Sequence, residues 1–337
     1  MIRRTGMVRD LVPVPPTDSG DRHREAGAPA VCAGPCYALR LSGARVAVAC
    51  LTREFGRIRR GPRELPLARG IVSGASAPRA ACGAGFVVNT YGVRIAVRAN
   101  EPGVLRRIPD HLPPGWRPVS TQLVDRLYSF VVPRRCGVHT LYGDTAAVAR
   151  LRTLDDLLDS FESDLQLYVA ERAPRRVFVH AGVVGWRGQA ILLPGTSLSG
   201  KSRLVAELIR VGATYYSDEY AVLDAAGRVH PYARPLRLRQ DGVHQRHPVE
   251  SLGGQAGRRP LPVGLVVLSG YRPGARWRPR PLTSGRGALA LLDHAVGARH
   301  APARVLAAIG EAAKGAQFLI GPRGEADETA RLILTRD

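Results

Sequence analysis

The sequence predicts an α/β protein in which a β-rich N-terminal region precedes a core built around a phosphate-binding loop. Two observations carry that prediction. Gly195-Thr196-Ser197-Leu198-Ser199-Gly200-Lys201-Ser202 is a complete G-x-x-x-x-G-K-[ST] loop, set between an apolar run at 190–193 and a helical pattern over 201–211 that stops at Gly212. Upstream, over 37–150, short apolar runs separated by Gly, Pro and an Asn-Thr-Tyr-Gly turn have the patterning of strands.

The elements follow in order. Residues 1–35 mix Pro, Gly, Asp and Arg without periodicity and read as a disordered leader. Residues 36–150 form a β-rich N-terminal domain of unknown role, with strands near 44–51, 85–88, 93–97 and 127–132. Residues 151–174 form a connecting helix. Thr153 and Asp156 have capping-box spacing, and Leu154, Leu157, Leu158, Phe161, Leu165 and Tyr168 recur on one face. Asp155, Asp159, Glu162 and Asp164 are read as the solvated face of that helix.

Residues 175–337 carry the recognisable chemistry. A strand over 177–184 contains His180, and a second strand over 190–193 leads into the loop. After the helix, a strand over 213–217 ends at Asp218-Glu219, and 220–223 continues as a short strand into a turn at 224–227. The Gly-, His- and Arg-rich segment 241–259 reads as a mobile cap, with His244 and His247 as loop residues. A buried strand over 261–268, helices over 287–294 and 302–314, a strand over 317–320 and a helix over 325–334 complete the core.

Composition narrows the function classes. No apolar run approaches the length needed to span a bilayer, and the N-terminus has no secretory h-region, so no membrane role and a cytoplasmic location are expected. The net charge of +21 is almost all arginine, spread along the 337 residues, which predicts no specific nucleic-acid partner. Five cysteines (Cys32, Cys36, Cys50, Cys82, Cys136) are odd in number and lack zinc-site spacing, and they read as reduced thiols.

The loop specifies nucleotide chemistry. Its glycines let successive N–H groups face a polyphosphate, Lys201 reaches the terminal phosphates, and Ser202 reaches a magnesium ion. The chain contains only two lysines, Lys201 and Lys314, so a chance match to the motif is rare. Asp218-Glu219 falls where a neighbouring strand end brings carboxylates to the metal and the nucleophile of a phosphotransferase. Arg234 and Arg237 follow, as candidate cations for charge that develops on a transferring phosphoryl group.

His180-Ala181-Gly182, the loop, Gly212 and Asp218-Glu219 together resemble the HPr kinase/phosphorylase family, most closely its relatives found with peptide-modification gene sets. The resemblance covers about 177–223. It implies a phosphoenolpyruvate-carboxykinase-like P-loop core and ATP and Mg²⁺ as cofactors. The implied activity is a kinase acting on a Ser/Thr hydroxyl of a small protein or ribosomally made peptide, in a chain capable of homo-oligomers. It also implies roles: Lys201 on the β- and γ-phosphates, Ser202 and Glu219 on the metal with Asp218 beside it, Asp218 as general base, and His180 tuning Asp218. Residues 195–203 form the nucleotide contact, ending at Arg203, where the family carries Glu. The downstream Arg-Gly-Leu-Gly-type signature is missing. A nucleotide-binding regulatory protein and a kinase of a small-molecule hydroxyl remain the alternatives.

Overall fold

The computed structural model describes residues 37–41, 44–48, 68–69, 84–195, 199–240 and 243–335. The expected leader, four of the five cysteines, and Thr196, Ser197 and Leu198 of the loop lie outside them. The described residues are mixed α/β, with several sheets and six helices among them.

Ten short strands come first: β1 (Tyr37–Leu41), β2 (Ala44–Val48), β3 (Ala68–Arg69), β4 (Ala84–Thr90), β5 (Val93–Ala99), β6 (Arg117–Pro118), β7 (Leu123–Val124), β8 (Arg126–Val131), β9 (His139–Gly143) and β10 (Ala146–Leu151). One sheet runs β10-β9-β8-β5-β4-β3 with β6 on β4, and β2-β1-β7 form a small second sheet. Helix α1 (Pro102–Arg107) interrupts the strands after β5; no strong periodicity marks it in the sequence.

Helix α2 (Leu154–Arg172) starts where Thr153 accepts a hydrogen bond from the Asp156 N–H, the cap its spacing predicts. Leu157, Leu158, Phe161 and Leu165 are fully buried against the first sheet. Each contributes about 1.5–3 kcal/mol of transfer free energy. The Phe161 ring packs edge-on to Tyr128 and Phe130, at centroid distances of 5.0 and 5.2 Å. The same core continues into the second half of the chain through Tyr91, Phe178, Tyr220 and Tyr232.

The second half contains β11 (Val177–Trp186), β12 (Gln189–Pro194), α3 (Lys201–Arg210), β13 (Thr214–Ser217), β14 (Tyr220–Leu223), β15 (Val229–His230), β16 (Leu236–Gln240), β17 (Val243–His247), β18 (Val263–Tyr271) and β19 (Arg280–Leu282). After them come α4 (Ser284–Leu292), β20 (Ala295–Val296), α5 (Pro302–Lys314), β21 (Gln317–Arg323) and α6 (Ala326–Leu334). The sheet order is β15-β14-β11-β12-β18-β21-β19, with β13 and β20 also on β11. β12, β18 and β21 are mutually parallel, so their carboxyl ends gather at one edge. Part of the segment expected to be a mobile cap is ordered instead: β17 pairs with β16 along five residues, and Val249–Leu252 form a 3-10 turn whose Val249 is buried. The β-pairing and the apolar contact at Val249 supply what the polar composition conceals.

Candidate phosphate-loop and carboxylate site

The strand register aligns the predicted residues. Pro194, last of β12, lies opposite Ala181 of β11, and the Gly195 N–H donates to the His180 carbonyl at 3.3 Å. On the other side of β11, Ser217 lies opposite Val183 and Tyr220 opposite His180, so β13 and β14 read as one strand interrupted by Asp218-Glu219. The Ala181 N–H donates to the Glu219 carbonyl at 3.1 Å. The buried Ser217 hydroxyl accepts from the N–H groups of Glu219 and Tyr220 at 3.1 and 2.9 Å, fixing the interruption. Loop entrance, His180 and the acidic pair therefore lie at one level across three adjacent strands.

Glycine permits the close packing beneath this level. A Cβ on Gly182 would sit 2.6 Å from Val205 of α3, so glycine lets the helix seat directly on β11. Gly200, the N-cap of α3, has φ +79°, and a side chain there would strike the Arg323 guanidinium. Helix α3 has no side-chain cap among the described residues and no acidic residue in its first turn.

Lys201 is half-buried. Its Nζ donates to the Gly195 carbonyl at 2.8 Å, and burial lowers its pKa against the opposing pull of Glu219 and Asp218. Burial also lowers the pKa of His180, helped by the charges of Lys201 and His294. The His180 ring packs on Tyr220 at a centroid distance of 4.7 Å, and the His180 backbone N–H donates to the His294 carbonyl at 2.8 Å. No hydrogen bond among the described residues joins His180 to Asp218. His294 was not singled out by the sequence; β20, which pairs with β11 just beyond it, brings it beside the site.

Asp218 sits among neutral donors. Tyr215 Oη lies 3.0 Å from its Oδ1, the Arg237 N–H donates to Oδ2 at 3.3 Å, and Ser202 also hydrogen-bonds it. Burial nevertheless holds its pKa above the ordinary carboxylate value, because these neutral groups do not offset the lost hydration. Glu219 is raised by crowding from protein atoms and then by Asp218, with Arg234 and Arg237 opposing. Glu219 is nevertheless exposed to solvent. Arg203 is exposed beside Tyr271 and Arg323.

The two candidate arginines are held from an unexpected direction. Glu162 of α2 is not on a solvated face; it is 2% exposed. Arg234, Arg237 and Arg246 reach its carboxylate at 2.5, 2.7 and 2.7 Å, and His111 Nδ1 lies 2.8 Å from it. Asp159 takes second contacts from Arg237 and Arg246 at 3.0 and 2.6 Å. Arg237 and Arg246 face each other directly across the β16–β17 hairpin, a repulsive pairing that the shared carboxylates compensate. Burial alone would raise the Glu162 pKa; the His111 hydrogen bond and the charges of Arg234, Arg237 and Arg246 overcome it and bring it to about 2. His111, Asp159 and Glu162 are spaced as a metal site could be, but three guanidiniums already occupy the carboxylates, so the cluster is an ion-pair hub.

No protein-family model matches this chain, and no curated protein matches it in sequence. No helix among the described residues is long and apolar enough to cross a membrane.

Proposed function

We propose that the chain is an ATP- and Mg²⁺-dependent kinase of the HPr-kinase-like group. In this reading the core is phosphoenolpyruvate-carboxykinase-like, and the phosphate acceptor is a Ser or Thr hydroxyl on a small protein or peptide. The observation that carries the reading is the alignment of loop, His180 and Asp218-Glu219 across β12, β11 and β13–β14. The donor set fits the implied cofactors. Lys201 and the open N-terminus of α3 suit a polyphosphate, while Ser202 and two carboxylates of raised pKa suit a hard divalent cation.

Lys201 would hold the β- and γ-phosphates, and Ser202 and Glu219, with Asp218 beside them, would hold the ion. The ion supplies charge neutralisation at the transferring phosphoryl group. Asp218, with its raised proton affinity, takes the proton of the acceptor hydroxyl. His180 keeps a neutral ring against Tyr220 and bounds the site near Lys201. Arg234 and Arg237, steered by Glu162, lie close enough to influence Glu219 electrostatically and favour negative charge there.

The test is calorimetric titration with ATP–Mg²⁺. The wild-type chain binds, and Lys201→Ala loses the heat of binding while its thermal midpoint without ligand is unchanged. Equal affinity in the two proteins removes the loop from the nucleotide site.

A further inference from the structure

Arg323 reaches the loop by topology. It is the last residue of β21, and because β12, β18 and β21 run parallel, it ends at the edge from which the loop departs. The residue is 2% exposed. Its Nη2 donates to the carbonyls of Gly200 and Ser199 at 2.9 and 3.3 Å, and Nη1 to that of Gly324 at 3.2 Å. The guanidinium stacks 5.6 Å from the Tyr271 ring centroid. Among the described residues none of its hydrogen bonds goes to a carboxylate, although Glu325 lies near enough to favour its charge and Arg203 to oppose it.

Peptide geometry turns this into a statement about ligand binding. In a trans peptide the carbonyl and the following N–H point in opposite directions. Holding the Ser199 and Gly200 carbonyls toward Arg323 therefore turns the N–H groups of Gly200 and Lys201 away from it, at the uncapped start of α3. The left-handed Gly200 leaves room for the guanidinium that a side chain would take. Ser199 Oγ is buried with no partner among the described residues, a further polar atom at this turn left unsatisfied by the protein.

We infer that Arg323 is a positioning residue for the Ser199–Lys201 turn: it sets the two peptide planes that present the Gly200 and Lys201 N–H groups to a polyphosphate and places a buried positive charge behind them. The inference rests on the nucleotide reading above. It adds a residue more than a hundred positions from the motif, on a strand with no catalytic signature.

The probe is tripolyphosphate with Mg²⁺, titrated calorimetrically into wild type, Arg323→Met and Arg323→Lys, with inorganic phosphate as the low-charge control. Arg323→Met keeps the bulk and removes both charge and fork. It is expected to weaken tripolyphosphate binding roughly 10- to 100-fold, the worth of charged hydrogen bonds, and phosphate binding less. Arg323→Lys restores the charge without the two-carbonyl fork and is expected to fall between, weaker than wild type by roughly 3- to 10-fold. A folded Arg323→Met with wild-type affinity overturns the inference. So does an equal loss for both ligands, which marks general loosening of the loop. Should Arg323→Met fail to fold, Arg323→Lys decides alone, and wild-type affinity in it overturns the fork. If wild type itself ignores both tripolyphosphate and ATP, the nucleotide reading falls and takes this inference with it. Loss confined to Arg323 variants leaves both standing.

Discussion

Glu162 and Asp218 are both carboxylates drawn out of water, and their surroundings treat them in opposite ways. Three guanidiniums and a histidine surround Glu162 and pull its pKa down to about 2. Asp218 receives a tyrosine hydroxyl, a backbone N–H and a serine hydroxyl, and burial holds its pKa up. Burial alone distinguishes neither; the charge of the partners does. Glu162 has both carboxylate oxygens engaged by guanidiniums and ties α2 to the β16–β17 hairpin. Asp218 has neutral hydrogen-bond partners, and Lys201 is near enough to feel its charge, yet burial still holds its pKa up. The helix starts repeat the contrast. α2 begins with a Thr153 cap and Asp155 and Asp156 in its first turn, while α3 begins with neither.

The comparison breaks most directly in catalysis. Asp218→Asn preserves shape but accepts no proton, and single-turnover transfer from ATP to an acceptor peptide should slow by about two to four orders of magnitude with ATP binding retained. Wild-type transfer in that variant removes Asp218 as the base. Next in size is the hub. Glu162→Gln takes the carboxylate from Arg234 and leaves Arg237 and Arg246 with Asp159 alone, and should cost about 3–5 kcal/mol in urea unfolding at neutral pH. A loss under 1 kcal/mol would mean that the ion pairs offset only their own desolvation.

Acid sharpens the same point. The folded pKa of Glu162 lies below its ordinary 4.5, so its contribution is complete above about pH 4.5 and is lost as pH falls through about 2. That contribution is on the order of 3 kcal/mol. The urea midpoints of wild type and Glu162→Gln should therefore converge across that window; a gap constant down to pH 2 contradicts the assignment. The smallest effect is at His180. His180→Ala should slow transfer about tenfold, less than Asp218→Asn, and because no hydrogen bond among the described residues joins the two, the losses should add in the double variant. A double variant no slower than Asp218→Asn alone would mean that His180 acts through Asp218.

The sequence announced some of these features and hid others for physical reasons. The loop, its flanking strand and helix, and the acidic pair are local in sequence, and periodicity placed their boundaries within a few residues. The hub is not local: Glu162 meets arginines 72 to 84 positions away, beyond any motif. One signal was present. Glu162 stands four residues after Leu158 and three before Leu165, inside the apolar stripe rather than opposite it. A carboxylate on a buried stripe demands a cationic partner, and counting acidic residues along the helix concealed that. Arg323 was hidden differently. The apolar run over 317–320 ends before it, and its importance follows only from the parallel pairing of β21 with β18.

The central claim is that Asp218 is kept at a cost to stability while Glu162 is kept for stability, and paired thermal melts at neutral pH test it. Because burial raises the Asp218 pKa, its ionised form is disfavoured by folding; the penalty is absent below the unfolded pKa and complete once pH exceeds the folded one. Without ligand, Asp218→Asn should therefore melt above wild type and Glu162→Gln below it. If both variants melt below wild type by similar amounts, the two carboxylates do the same structural job and the contrast fails.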